Sequence, residues 1–197
     1  MTDAGDVVVV VVLAAGGGSR FLGSTHKLDA DLNGRTVLSH AVDSALASGV
    51  GPVVVVTAGH VTTALPPSVE RIVNDHWRDG QMSSLRLGVA AAAERGARNV
   101  VIGLGDQPFV TPEAWRLVAA TDAPISVAVY DGKRGQPVKL RHDVWALLPE
   151  DGDEGARSLM RLRPDLTVEV PCQGSPTDVD TLEDLRRWQN NSSTSSP

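Results

Sequence analysis

At 197 residues the chain has the length of one domain more comfortably than of two. With 42% hydrophobic and 21% charged residues it can bury a sizeable core, which excludes a disordered composition. A formal net charge of -6 opposes general nucleic-acid binding, which needs a cationic face, but leaves room for a few local cations to hold one small anion.

The single cysteine, Cys172, excludes an internal disulfide and any multi-cysteine metal cluster, so a reducing cytoplasm is the expected compartment. The apolar run 7–15 is shorter than the roughly 20 residues of a spanning helix. It follows Asp3 and Asp6 instead of a basic segment, so neither a membrane span nor a secretory signal is expected.

Six consecutive valines, residues 7–12, predict a strand covered on both faces, as in a parallel sheet. Gly16-Gly17-Gly18 ends it. Residues 36–47 carry Val37, Ala41, Val42, Ala45 and Leu46 at helical spacing, and Gly49 stops them. Strands are expected at 53–57 and 70–73, a helix at 83–94 closed by Gly96, and a strand at 99–104. Thr111 caps a helix opening on Pro112, with Glu113 near its positive end. Strands at 125–129 and 138–140, helices at 143–148 and 154–162, and a strand at 167–170 follow. Thr181 and Asp184 form a capping pair for a last helix through Trp188. Alternating strands and helices predict a single α/β domain over 1–189, a three-layer sandwich around a mostly parallel, Rossmann-like sheet. The Ser- and Asn-rich residues 190–197 are expected to be disordered.

The segment Leu13-Ala14-Ala15-Gly16-Gly17-Gly18-Ser19-Arg20 follows the first strand directly. Small residues let a ligand approach the backbone, and successive N–H groups can face an anion at the carboxyl edge of a parallel sheet. No Gly-Lys-Ser/Thr follows, so this is not a P-loop, and Phe21 stands where a dinucleotide fingerprint needs its third glycine. Taken alone, Arg20 and Lys27 read more readily as solvated surface charges than as ligand contacts.

These residues, with Lys27, resemble the N-terminal signature of the MobA-like NTP transferase family, and within it the molybdenum cofactor cytidylyltransferase (MocA) type. Further segments resemble the family's in the same order: Asn74-Asp75-His76-Trp77-Arg78-Asp79-Gly80-Gln81-Met82-Ser83-Ser84-Leu85, Gly105-Asp106-Gln107-Pro108, Gly135-Gln136-Pro137-Val138, Gly152-Asp153-Glu154-Gly155-Ala156-Arg157 and Asp178-Val179-Asp180-Thr181. The resemblance implies the fold of the nucleotide-diphospho-sugar transferases and a Mg²⁺-dependent transfer of a nucleotidyl group. It implies a nucleotide loop of Leu13, Ala14, Ala15, Gly16, Gly17 and Gly18. Arg20 and Lys27 would bind the triphosphate, and Asn74, Ser83 and Ser84 would lie near base and ribose. Asp106 and Asp180 would hold the metal, with Arg20, Lys27 and Asp106 as the catalytic set. Gln136, Pro137 and Arg157 would face the acceptor.

Read without the resemblance, Asp106 is equally a turn residue before Gln-Pro and Asp180 a charge at a helix N-terminus; Asp178 is a further candidate ligand. His26, His40, His60, His76 and His142 have no metal-ligand spacing. Trp115, Trp145 and Trp188 fall on predicted helices as core or half-buried residues, and Cys172 is read as a packing residue.

Ala14-Ala15-Gly16 matches the cytidylyl type, whereas the guanylyl type reads Ala-Gly-Gly, so CTP is favoured over GTP. The implied acceptor is molybdopterin, with pyrophosphate released and a molybdoenzyme or its chaperone as a partner downstream; neither nucleic acid nor membrane is a partner. Phe21 in place of a usual Met, the longer run before Lys27, and Gln136 in place of a common His depart from the pattern. Transfer to a sugar phosphate or another small acceptor, and a non-catalytic nucleotide-binding regulator, are the competing readings.

Overall fold

The computed structural model describes residues 7–193, with side chains through residue 190. The valine run forms the central strand β1 (Val8–Ala14). The chain then makes a small hairpin, β2 (Asp31–Leu32) and β3 (Arg35–Thr36), that leads into α1 (Val37–Ser48). Next come β4 (Val53–Thr57), β5 (Glu70–Val73), α2 (Gln81–Glu94), β6 (Asn99–Leu104) and α3 (Pro112–Ala120). The remainder is β7 (Ile125–Tyr130), β8 (Lys133–Arg141), α4 (Ala156–Leu162), β9 (Thr167–Pro171) and α5 (Leu182–Ser193).

Seven strands make one sheet in the order β5-β4-β1-β6-β8-β7-β9. β4, β5 and β6 run parallel to β1; β8 runs against both β6 and β7, and β9 runs with β7. One strand of the seven is therefore reversed, and the expected α/β sandwich with a mostly parallel sheet is the observed fold.

The consecutive valines have a direct structural reason. Val9, Val11 and Leu13 enter one core with Met82, Leu85 and Val89 of α2 and Leu159 and Met160 of α4. Val10, Val12 and Ala14 enter the other, with Leu38 and Val42 of α1 and Ala114, Trp115 and Val118 of α3. A strand that alternates between two apolar layers has no polar face to show.

The expected helix caps form. Thr36 Oγ1 accepts from the Ser39 N–H, and Thr111 Oγ1 accepts from the Ala114 N–H with Pro112 in the first turn. Thr181 and Asp184 bond reciprocally, Asp184 N to Thr181 Oγ1 at 3.1 Å and Thr181 N to Asp184 Oδ2 at 2.9 Å. Trp115 is buried, Trp145 is half-buried with Nε1 on the Leu140 carbonyl, and Trp188 stacks on Phe109 with ring centroids 3.7 Å apart. Cys172 is buried.

Several boundaries differ from expectation. The helix expected at 143–148 is a 3₁₀ segment, His142–Leu147, and the one expected from Glu154 begins at Ala156. The strand expected at 138–140 is the nine-residue β8, because Gly135 and Pro137 lie inside the strand instead of ending it. The disordered tail expected from Asn190 is corrected in part: α5 continues through Ser193, and residues 194–197 lie outside the described residues. No helix among the described residues is long and apolar enough to cross a membrane.

Candidate nucleotide site

The site lies where β1 and β6 end. The Gly105 N–H donates to the Leu13 carbonyl at 2.8 Å, which sets the Gly-rich turn beside Asp106. The Val179 N–H donates to the Asp106 carbonyl at 2.8 Å and brings residues 178–181 to the same edge. The loop after the Gly-rich turn then returns, and Lys27 opens a 3₁₀ turn with its side chain pointing inward, 9% exposed.

Lys27 Nζ stands between two carboxylates, 2.6 Å from Asp106 Oδ2 and 2.8 Å from Asp180 Oδ1. Burial by itself would lower the Lys27 pKa; the charges of Asp106 and Asp180 outweigh it and raise it above the ordinary value. Arg20, largely exposed, reaches Asp180 Oδ2 at 2.9 Å. Asp178 lies alongside, where its Oδ1 accepts from Gln107 Nε2 at 2.7 Å. Burial first, and then the Asp106 charge, raise the Asp178 carboxyl.

A pocket of about 550 Å³ opens from this cluster, lined by Leu13, Ala15, Gly16, Gly17, Trp77, Arg78, Gly80, Gln81, Ser84, Leu104, Asp106 and Asp153. Of the expected nucleotide residues, Leu13, Ala15, Gly16, Gly17, Ser84 and Asp106 line it. Ala14 faces the core on the other side of β1, and Gly18 packs on His26 and Lys27. Asn74 is buried beneath the wall: its Nδ2 donates to Ser83 Oγ at 2.8 Å and Ser84 Oγ at 2.9 Å, and its Oδ1 accepts from the His76 N–H. Asn74 and Ser83 thus fix the 74–84 loop without lining the cavity.

Trp77, Arg78, Gln81 and Asp153 are further wall residues, which lie inside the family-like motifs with no expected role of their own. Trp77 rests on the Gly-rich turn, where a Cβ on Gly17 would stand 2.8 Å from its ring. His26, read as one of the scattered histidines, holds the same turn through Nε2 and the Gly16 carbonyl, 3.0 Å apart, and its ring packs on His60, which meets the edge of Trp77.

Gln136 and Arg157 lie in a second pocket of about 300 Å³ between β7, β8 and α4, with Arg134 and Arg161. Gln136 is buried, and its Oε1 has no hydrogen-bond partner among the described residues. Pro137, joined to it by a cis peptide bond, is buried in β8 behind the pocket.

Among the described residues no group of three or more His, Cys, Asp or Glu is placed to hold a metal ion. Asp106 and Asp180 nonetheless converge on one cation, the Lys27 ammonium. Two hard carboxylate oxygens facing a common point suit Mg²⁺ or Mn²⁺, which take their other ligands from phosphate and water.

A cation-and-carboxylate cluster at the strand ends, next to a glycine-lined cavity, defines an α/β enzyme that handles phosphorylated nucleotides. The chain belongs to the MobA-like NTP transferase family, whose domain model matches residues 10–169. Its class of activity is nucleotidyl transfer.

Among solved structures it is similar to Rv0371c from Mycobacterium tuberculosis H37Rv, at 28% identity and a TM-score of 0.82 over 94% of this chain and 98% of that one. It is also similar to the manganese complex of the same protein, at 27% identity and a TM-score of 0.74 over 93% and 98%. A nucleotidyl transferase from Methanothermobacter thermautotroptrophicus, Mth528, matches at 27% identity and a TM-score of 0.78 over 95% and 98%. No match is found among curated proteins.

Proposed function

We propose that residues 1–189 form a single domain that transfers CMP, and less readily GMP, from a nucleoside triphosphate to a phosphorylated acceptor, molybdopterin. The observation that carries this reading is the Lys27 ammonium held between Asp106 and Asp180 at the mouth of a glycine-lined pocket. Arg20 and Lys27 bind the triphosphate and offset charge as the pyrophosphate departs. Asp106 and Asp180 would hold Mg²⁺, in keeping with the manganese bound by a structural relative. When bound, the ion supplies positive charge to the α-phosphoryl oxygens.

The acceptor phosphate oxygen attacks the α-phosphorus in line. A P–O bond to the acceptor forms, the bond to the β-phosphate breaks, and pyrophosphate leaves with that electron pair. Gln136 and Arg157 face the acceptor, with Pro137 shaping the strand behind them. A buried Gln136 side-chain oxygen, Oε1, in want of a donor and the arginines beside it suit an acceptor that has both N–H groups and a phosphate. Ala15 favours the smaller base, hence CTP over GTP, by a margin of about 1–3 kcal/mol. The product would be handed to a molybdoenzyme or its chaperone in the cytoplasm, with no nucleic acid or membrane involved.

A matrix of CTP, GTP, ATP and UTP against molybdopterin and sugar phosphates, with and without Mg²⁺, tests the reading by pyrophosphate release. Fastest release is expected with CTP, molybdopterin and Mg²⁺. Release only with a sugar phosphate would overturn the acceptor, and none with any pair would favour a binding protein.

A further inference from the structure

The wall of the nucleotide pocket is chemically mixed. Asp106, tied to Lys27, marks the part where phosphates belong. Gly80 and Gln81 at the start of α2 line it too, beside the turn at residues 152–153, which the Met82 N–H locks by donating to the Gly152 carbonyl at 2.9 Å. Only a glycine serves at position 80: its φ is +100°, and a Cβ there would stand 2.6 Å from Asp153 Oδ1 and 2.7 Å from the Gly152 carbonyl. The Asp153 carboxylate therefore lies beside Gly80, exposed, as part of the pocket wall.

Asp153 differs from the other acids of the site. Asp106 and Asp180 are tied to Lys27, and Asp178 to Gln107. Asp153 makes no hydrogen bond or ion pair among the described residues. An ionised carboxylate only accepts hydrogen bonds. Set against the edge of a base, it is matched by an exocyclic amino group and opposed by a carbonyl oxygen. Cytosine, adenine and guanine carry such an amino group; uracil and thymine carry a carbonyl on each side of one ring N–H. Arg78 lines the same pocket with its guanidinium 4.4 Å from the Trp77 ring centroid, and it can supply donors for a ring nitrogen or carbonyl of the same base.

We propose that Asp153 reads the base, selecting amino-bearing nucleotides over those of uracil and thymine. The inference rests on the nucleotide reading of this pocket, and it adds a polar discrimination that the size of Ala15 does not provide. It is tested by calorimetric titration of the full-length chain and of Asp153→Asn with CTP, GTP, ATP and UTP in Mg²⁺. The wild type is expected to bind UTP about tenfold or more weaker than CTP.

Asp153→Asn should bring the two within about threefold, because an amide can donate to the uracil carbonyl as well as accept. Asp153→Ser, which removes the carboxylate with less bulk, should collapse the ratio by weakening CTP alone. Equal binding of CTP and UTP by the wild type would overturn the proposal. So would a uniform loss of all four nucleotides in both variants, which marks a ribose contact or a structural role. Binding without base choice sinks this inference alone, whereas failure to bind any nucleotide removes the nucleotide reading and this inference with it.

Discussion

Lys27 is the residue on which the chemistry turns. Burial of the Lys27 side chain, 9% exposed, disfavours its charge, the two carboxylates that face it outweigh that cost, and those carboxylates tolerate each other because the ammonium lies between them. Replacing Lys27 with Met leaves Asp106 and Asp180 without their common partner and removes a charge from the triphosphate end of the pocket. Lys27→Met is expected to lower kcat/KM for pyrophosphate release by about 10²–10³-fold. It should also tighten Mn²⁺ binding to the nucleotide-free protein, because the ammonium no longer competes for the carboxylates. Steady-state kinetics and a Mn²⁺ titration measure both; unchanged turnover would show that Lys27 serves packing alone.

Among the elements, the loop between β1 and α1 owes its shape to Asp29, a residue that no motif singled out. Its carboxylate accepts from the Thr62 and Thr63 N–H groups and from Thr63 Oγ1 at 2.6 Å, which ties the turn bearing Lys27 to the loop after β4. Burial would raise the Asp29 pKa, but the hydrogen bonds from Thr63 and Thr62 outweigh it and lower it. A depressed folded pKa stabilises above the unfolded value, about 3.9, and that contribution is lost as the pH falls through the folded pKa. Asp29→Asn is therefore expected to cost about 1–2 kcal/mol at pH 7, a fall of about 3–6 °C in Tm for a chain of this size. The gap between the melting curves of the two proteins should begin to narrow as the pH falls below about 4 and close as it passes through the lower, folded pKa. A gap that persists in acid would mean the charge is irrelevant.

Asp29 also marks the limit of what sequence patterns convey. The strands β1, β4 and β6 were legible because apolar runs with sharp ends leave one reading, and the caps at Thr36, Thr111 and Thr181 were legible because they are local. The hairpin at residues 31–36 was not, since two residues per strand have no periodicity. Nor was the reversed β8, because strand direction leaves no mark on side-chain alternation. Of the site, the Gly-rich turn, Lys27 and Asp106 announced themselves by motif. That Lys27 bridges Asp106 and Asp180, partners 79 and 153 residues away, is a fact of the sheet edge alone. Trp77 and Asp153 lie inside family-like motifs, but only the cavity shows that they share a wall.

At the scale of the whole molecule, a net-acidic chain handles an anionic substrate by local arrangement. Its charge is -6, yet the sheet brings Arg20 and Lys27 to one end of one pocket, and Arg134, Arg157 and Arg161 to the next. Both pockets lie on the side of the sheet that packs α2 and α4, as Leu13 and Leu104 in one and Val127 and Met160 in the other show. The two apolar layers around β1 hold these edges in register.

The most direct measurement is a crystal structure of the protein with CTP and Mn²⁺, with data collected to give the manganese anomalous signal. A peak between the Asp106 and Asp180 carboxylates, with the triphosphate on Arg20 and Lys27 and the base at the Gly80 end of the pocket, is the predicted result. Manganese bound away from both carboxylates, or CTP seated outside the glycine-lined cavity, would contradict the account.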